Sequence, residues 1–95
     1  MVAHRLLALM LVLAASSLLA SEHPRLSRTR VLRIADLEVR NELRDLNLRE
    51  FQAREARYFA DEQKWIVIYR RIGQRYADFD VEIDDATKTA AIWMP

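Results

Sequence analysis

Residues 78–88 read DFDVEIDDATK, and this stretch decides the fold. Apolar side chains (Phe79, Val81, Ile83) alternate with acidic ones, which is the period of a β-strand with one face in a core and one in water. The alternation extends back to residue 76, so we expect a strand over 76–84. Asp85, Ala86 and Thr87 predict a hairpin turn. KTAAIWM, residues 88–94, then predicts the last strand of an antiparallel sheet.

Two further segments predict strands upstream of this hairpin. KWIVIYRR, residues 64–71, is β-branched and aromatic on both pleat faces, which is typical of a central strand. Trp65, Val67 and Tyr69 share one face, and Ile66 and Ile68 share the other. QAREARYF, residues 52–59, is a further strand candidate. It could instead be helical, because its Ala, Arg, Glu and Gln residues are good helix formers.

A helix precedes the strands. Residues 28–44 contain neither Gly nor Pro, and Val31, Ala35 and Val39 lie on one side of a helical wheel, with Leu32 and Leu43 nearby. Ser27 is the expected N-cap. The fold class is therefore predicted as α+β, with one amphipathic helix packed on an antiparallel meander of three to four strands.

The first twenty residues predict a signal peptide. A short basic start is followed by about fifteen apolar or small residues, Leu6 to Ala20, which is short for a permanent membrane span. Cleavage is expected after Ala20, with Ser16 as a competing site. The division is then 1–20 signal peptide, 21–26 leader and 27–95 a single small domain. Export to a bacterial periplasm is expected, and an uncleaved signal anchor in the inner membrane is the alternative.

Charge does not indicate a nucleic-acid partner. Removing residues 1–20 takes away only Arg5 of the 15 basic residues, so 14 remain against 14 acidic residues. The acids concentrate over 76–95 and the arginines upstream. Because the sum is neutral, we expect no nucleic-acid binding, and internal charge pairing is the simpler interpretation.

Few residues could carry catalysis or hold a cofactor. The chain has no Cys, its two histidines (His4 and His23) lie in the signal peptide and leader, and a single Gly excludes a phosphate-binding loop. Asp78, Asp80 and Glu82 are spaced like calcium ligands, but Ile83 and Thr89 stand where a calcium loop needs Gly and Glu. We expect no metal, no cofactor and no enzyme activity. The acids are expected to pair with Arg54, Arg57, Lys64 or Arg70.

The chain resembles small exported PepSY-like domains over residues 26–93. The resemblance rests on LSRTRVLRIA, KWIVIY and DVEIDDATKTAAI, in which Lys88 replaces the expected Gly and Val31 the usual small helix residue. The order of elements is also similar to cystatin-like folds, including nuclear-transport-factor-like immunity proteins. The PepSY resemblance implies a non-catalytic binding or inhibitory module in the cell envelope that regulates a peptidase.

We therefore expect a non-catalytic exported module that binds a protein or peptide, as an inhibitor or regulator of an envelope peptidase or other hydrolase. A sheet face or edge is the expected surface, and strand addition is one route. The alternatives are an immunity protein against a secreted toxin and a carrier of a small apolar ligand. The candidate partner-binding residues are Arg54, Arg57, Trp65, Tyr69, Arg70 and Trp93.

Overall fold

The computed structural model of the chain describes residues 23–95. One helix, α1 (Arg28–Glu42), is followed by a short 3-10 turn (Leu48–Glu50) and four strands: β1 (Glu55–Phe59), β2 (Lys64–Tyr69), β3 (Phe79–Asp84) and β4 (Ala90–Trp93). The predicted signal peptide, residues 1–20, and the first two leader residues lie outside the described part. None of the helices within residues 23–95 has the length and apolar character needed to cross a membrane.

The four strands form one antiparallel sheet in chain order, with β2 and β3 in the middle. Helix α1 packs on one face of this sheet. The predicted α+β class, a helix on an antiparallel meander, is therefore confirmed. The sheet has four strands because residues 55–59 form a strand rather than an extension of the helix, which settles the ambiguity over 52–59.

The core lies between α1 and the sheet. Val31, Ala35 and Val39 line the inner side of the helix, as the wheel predicts. They meet the inward side chains of β2 and β3, which are fully buried or nearly so: Trp65, Val67, Tyr69, Phe79, Val81 and Ile83. The two alternating patterns of the sequence thus meet in one apolar layer.

Several predicted boundaries are too wide. The helix ends at Glu42 instead of residue 44, and Leu43 is its C-cap. Strand β3 begins at Phe79 instead of residue 76, so Ala77 is exposed rather than inward. Strand β1 begins at Glu55, after Phe51 has made an isolated bridge with Arg71. Alternation of residue types continues past the point where a partner strand is available, so it overestimates strand length.

The side chain of Asp84, the last residue of β3, stabilises the turn of the β3–β4 hairpin. Its Oδ1 accepts from the backbone N–H groups of Ala86 and Thr87, both at 2.9 Å. These hydrogen bonds lower the pKa of Asp84. Lys88 then adopts a positive φ of 65°, so β4 begins at Ala90 and not at residue 88. Gly73 also has a positive φ, 83°, in the loop where the sequence predicts it.

Asp85, next in the turn, is buried at 4% exposure and reaches back to the leader. Its carboxylate accepts from the backbone N–H groups of Arg25 and Leu26, at 2.7 and 3.0 Å, and from the Trp65 indole N–H at 3.0 Å. Burial would raise the pKa of Asp85, but these three donors and the Arg25 charge outweigh it and lower the pKa. One turn residue therefore fixes the start of the domain.

A second polar contact joins the helix to the sheet. The Tyr69 hydroxyl donates to Asp36 Oδ1 at 2.7 Å, and Arg54 forms an ion pair with the other carboxylate oxygen. Burial, the hydrogen bond to Asp36 and its charge raise the pKa of Tyr69 far above its ordinary range, so the hydroxyl keeps its proton and donates. Ser27 caps the helix as predicted, by accepting from the Arg30 N–H.

Candidate binding surface

The sheet has a second face that no described element covers. Because side chains alternate along a strand, the residues between the buried positions of β2 and β3 point away from α1. These outward side chains are partly exposed, whereas the inward side chains of the same strands are buried. We call this surface the open face; its strand residues are Glu55, Arg57, Phe59, Lys64, Ile66, Ile68, Asp80, Glu82, Asp84, Ala91 and Trp93.

Two isoleucines of β2 form the centre of the open face. The strand register places Ile66 between Arg57 on β1 and Glu82 on β3. It places Ile68 between Glu55 and Asp80 in the next row. Each apolar side chain is therefore flanked by a charge on both neighbouring strands, within the reach of cross-strand side-chain contacts.

Large aromatic side chains stand at two corners of the open face. Trp93 on β4 lies opposite Asp80 and is 58% exposed, and Phe59 on β1 is 43% exposed. Aromatic side chains are enriched at protein–protein contact surfaces. The open face therefore combines apolar, aromatic and charged groups in neighbouring rows.

The charges on the open face are distributed unevenly among the strands, although Glu55 lies on β1 beside Arg57. The basic side chains Arg57 and Lys64 belong to β1 and β2, whereas Asp80 and Glu82 belong to β3. Lys64 Nζ lies 3.9 Å from Glu82, and Arg57 pairs with Glu55 on its own strand at 2.8 Å. The predicted pairing of the acidic stripe is thus confirmed for Lys64 and Glu82, but Arg54 pairs with Asp36 of the helix.

Asp80 is the exception among these carboxylates. Its side-chain carboxylate makes no hydrogen bond or ion pair with any residue in 23–95. Burial raises its pKa, and the nearby negative charge of Glu82 raises it further. A half-buried carboxylate without a counter-charge gains stabilisation from a cation supplied by another molecule.

The six candidate partner-binding residues are divided between the two faces. Arg57 and Trp93 lie on the open face. Arg70, just past the end of β2, is near enough to Glu55 to lower its pKa, after the larger effects of Arg57. Arg54, Trp65 and Tyr69 lie on the helix side of the sheet, where Trp65 and Tyr69 are core residues. These three residues therefore do not belong to the open face.

A groove at the C-terminal end of α1 has a volume of about 450 Å³. Leu43, Leu46, Phe79 and Met94 form its apolar part. Charged side chains of both signs (Glu42, Arg44, Asp45, Arg71 and Asp78) form the rest. Arg71 also bridges Glu50 and Asp78, at 2.9 and 3.3 Å. Charges around the opening make this groove poorly suited to a purely apolar ligand.

No group of three or more His, Cys, Asp or Glu side chains within residues 23–95 is arranged to hold a metal ion. The acids of β3 are spread along a strand, as the alternation predicts, and Asp84 and Asp85 are engaged by backbone N–H groups.

Sequence reasoning missed the structural role of Asp85 and the unpaired carboxylate of Asp80. A turn aspartate usually caps its own turn, and nothing local indicates that its donors come from residues 25 and 26. Likewise, Asp80 looks like its neighbours in sequence, and only the register shows that it has no basic partner.

Comparison with known proteins gives no match: neither a family model, nor a curated protein, nor a solved structure is similar to this chain.

Proposed function

We propose that this protein is a non-catalytic exported binding module, and that its open face binds a segment of a partner protein in the cell envelope. An inhibitor or regulator of a peptidase or other hydrolase is the function that we favour. The observation that carries this proposal is the pair Ile66 and Ile68, which stand on a face that α1 leaves uncovered, beside a carboxylate that lacks a partner.

The composition of the open face supports a protein segment as the ligand. Ile66, Ile68 and the Trp93 ring offer apolar area, whose burial contributes about 25 cal/mol per Å². Asp80 offers a carboxylate to a basic side chain next to that area. A partner segment that carries Lys or Arg beside an apolar side chain matches both features. Nucleic acid is a poor match, because carboxylates lie in the middle of the surface.

Two observations support a binding role over the other functions considered. Within residues 23–95 the polar side chains that are most buried, Asp85 and Tyr69, are engaged in holding the fold together. The side chains between helix and sheet are buried against each other, which argues against a pocket for a small ligand at that place.

The test is affinity capture from an envelope extract with the chain recovered after export. We compare the unchanged protein with Ile68→Lys on the open face and Ile72→Lys as a matched control. Ile72 is 66% exposed in a loop, so both substitutions replace an isoleucine by the same cation. We expect one stoichiometric partner that Ile68→Lys loses and Ile72→Lys keeps.

The identity of the captured protein then separates the functions. A peptidase or other hydrolase supports the inhibitory module, and a toxin supports the immunity protein. Equal capture by both variants, or no partner for the unchanged, folded protein, contradicts binding at the open face.

A further inference from the structure

The outer edge of β4 is open to pairing. Strand β4 ends the sheet, and no other strand within residues 23–95 pairs with its outer side. Its sequence, AAIW, carries no charge, whereas the opposite edge strand β1 carries Glu55 and Arg57. Charged side chains on an edge strand oppose pairing with another chain, and β4 lacks this protection.

The hairpin determines which backbone groups face outward. The Asp84 N–H donates to the Thr89 carbonyl at 2.9 Å where β3 and β4 meet. From this bond, the alternation of an antiparallel ladder directs the backbone groups of Ala91 and Trp93 towards β3. The N–H and C=O groups of Ala90 and Ile92 therefore point away from the sheet, where an added strand can bond to them.

Helix α1 borders the same edge. It contacts β4 directly. A groove of about 470 Å³ runs between them, and Ile34, Leu37 and Ala90 supply its apolar lining. Leu37 is 59% exposed, because its position on the helical wheel lies opposite the buried stripe of Val31, Ala35 and Val39. An apolar helix side and an unpaired strand edge thus lie next to each other.

We infer that a second copy of this chain occupies this edge. Two β4 strands pair antiparallel about a two-fold axis at Ile92, so that the two sheets join into one sheet of eight strands. In this register the outward backbone groups of Ile92 bond to those of Ile92 in the second copy. On the open face, the large Trp93 ring lies opposite the small Ala91 of the second copy. The edge is therefore complementary to itself in hydrogen bonding and in shape.

Helix charges favour the same arrangement. The two-fold axis is perpendicular to the sheet, so it brings the two α1 helices side by side in opposite directions. The first half of α1 is basic, with Arg28, Arg30 and Arg33 and no acid. Its second half contains Asp36, Glu38 and Glu42 against Arg40. Antiparallel helices place the basic half of one copy beside the acidic half of the other.

This inference does not depend on the proposed function. A two-fold axis perpendicular to the sheet keeps both open faces on the same side, so the dimer would offer a partner two neighbouring copies of one surface. The four-residue edge is short, so we expect a modest affinity, with a dissociation constant in about the micromolar range.

Sedimentation equilibrium of the chain recovered after export tests the dimer over a range of concentrations. Two exposed positions are changed at the proposed interface, Leu37→Glu on the helix and Ala91→Lys on β4. Phe59→Lys, on the opposite edge of the sheet, is the control. We expect a concentration-dependent dimer that each interface variant weakens at least about 10-fold and Phe59→Lys leaves unchanged.

Disulfide cross-linking tests the proposed pairing of the two β4 strands. Introduced cysteines give an unambiguous result, because the chain contains no cysteine of its own. Opposed residues in a hydrogen-bonded pair have Cα atoms about 5.5 Å apart, within disulfide range. We expect Ile92→Cys to form a disulfide-linked dimer on mild oxidation, and Phe59→Cys to form none. An unchanged protein that stays monomeric up to millimolar concentration, or equal cross-linking of both variants, would overturn the inference.

Discussion

At the level of single residues, Asp85 connects three parts of the chain. It lies in the hairpin turn after β3, yet its donors are two backbone N–H groups of the leader and the Trp65 indole on β2. Without this carboxylate, three donors, two of them buried, would lose their common acceptor. Its contribution to stability should therefore exceed that of an ordinary turn aspartate.

We expect Asp85→Asn to lower the free energy of unfolding by about 2–3 kcal/mol, because the amide offers one oxygen and turns an N–H₂ group towards donors. Urea denaturation measures this. Asp61→Asn, in an exposed turn, is the matched control and should change stability by less than about 0.5 kcal/mol. Equal effects of the two substitutions would contradict the assigned role of Asp85.

The same carboxylate predicts a pH dependence. Because the folded-state pKa of Asp85 is lowered, its contribution is complete above the unfolded-state pKa of about 4 and is lost as the pH falls through the folded value. We expect the stability difference between the unchanged protein and Asp85→Asn to be constant near pH 7 and to shrink below about pH 4. A difference that grows in acid would refute this.

Lys88 has a left-handed backbone, with φ at 65°, at the position where the resembled PepSY pattern has Gly. A side chain costs about 1 kcal/mol or more there, whereas Gly adopts this conformation freely. We expect Lys88→Gly to raise the free energy of unfolding by about 0.5–1 kcal/mol. Lys88→Ala removes the charge and keeps the Cβ, so it should give no such gain in the same denaturation experiment.

At the level of elements, the contact between Tyr69, Asp36 and Arg54 holds α1 on the sheet. The Tyr69 hydroxyl is fully buried and has a single acceptor, so its removal should cost the hydrogen bond without changing the aromatic stack with Phe79. We expect Tyr69→Phe to lower the free energy of unfolding by about 1–2 kcal/mol. Tyr76→Phe, at an exposed hydroxyl, should leave it unchanged; thermal unfolding compares the two.

The elements themselves could be predicted from the sequence. Alternation in 78–84 and the inner stripe of Val31, Ala35 and Val39 predict the strand, the helix and their contact. The strand ends could not be predicted. Strand β3 begins at Phe79 because the strand with which it pairs, β2, ends at Tyr69, the partner of Phe79. The local residue pattern of β3 contains no information about the length of β2.

At the level of the whole molecule, the covered face of the sheet could not be predicted from β2 alone. KWIVIY is apolar on both faces, so either could have packed against the helix. The register and α1 together assign Trp65, Val67 and Tyr69 to the core and leave Ile66 and Ile68 outside. For this reason the candidate set mixed open-face residues such as Arg57 and Trp93 with core residues such as Trp65.

This assignment of faces predicts a contrast between neighbours on β2. We expect Val67→Thr, at a fully buried position, to lower the free energy of unfolding by about 1–3 kcal/mol, because a hydroxyl enters the core without a partner. Ile68→Thr, on the open face, should cost less than about 1 kcal/mol. Chemical denaturation of both variants gives the comparison, and the reverse order of costs would show that the faces are exchanged.

The most direct measurement of the central claim, that the open face binds an envelope protein, is site-specific photo-cross-linking in cells that express the protein. A photoreactive amino acid is placed at Ile66 on the open face or at Ile72 in the exposed loop after β2. The account predicts one discrete cross-linked product with another protein at position 66 and none at position 72. Absence of a product at position 66, or the same product at positions 66 and 72, would contradict it.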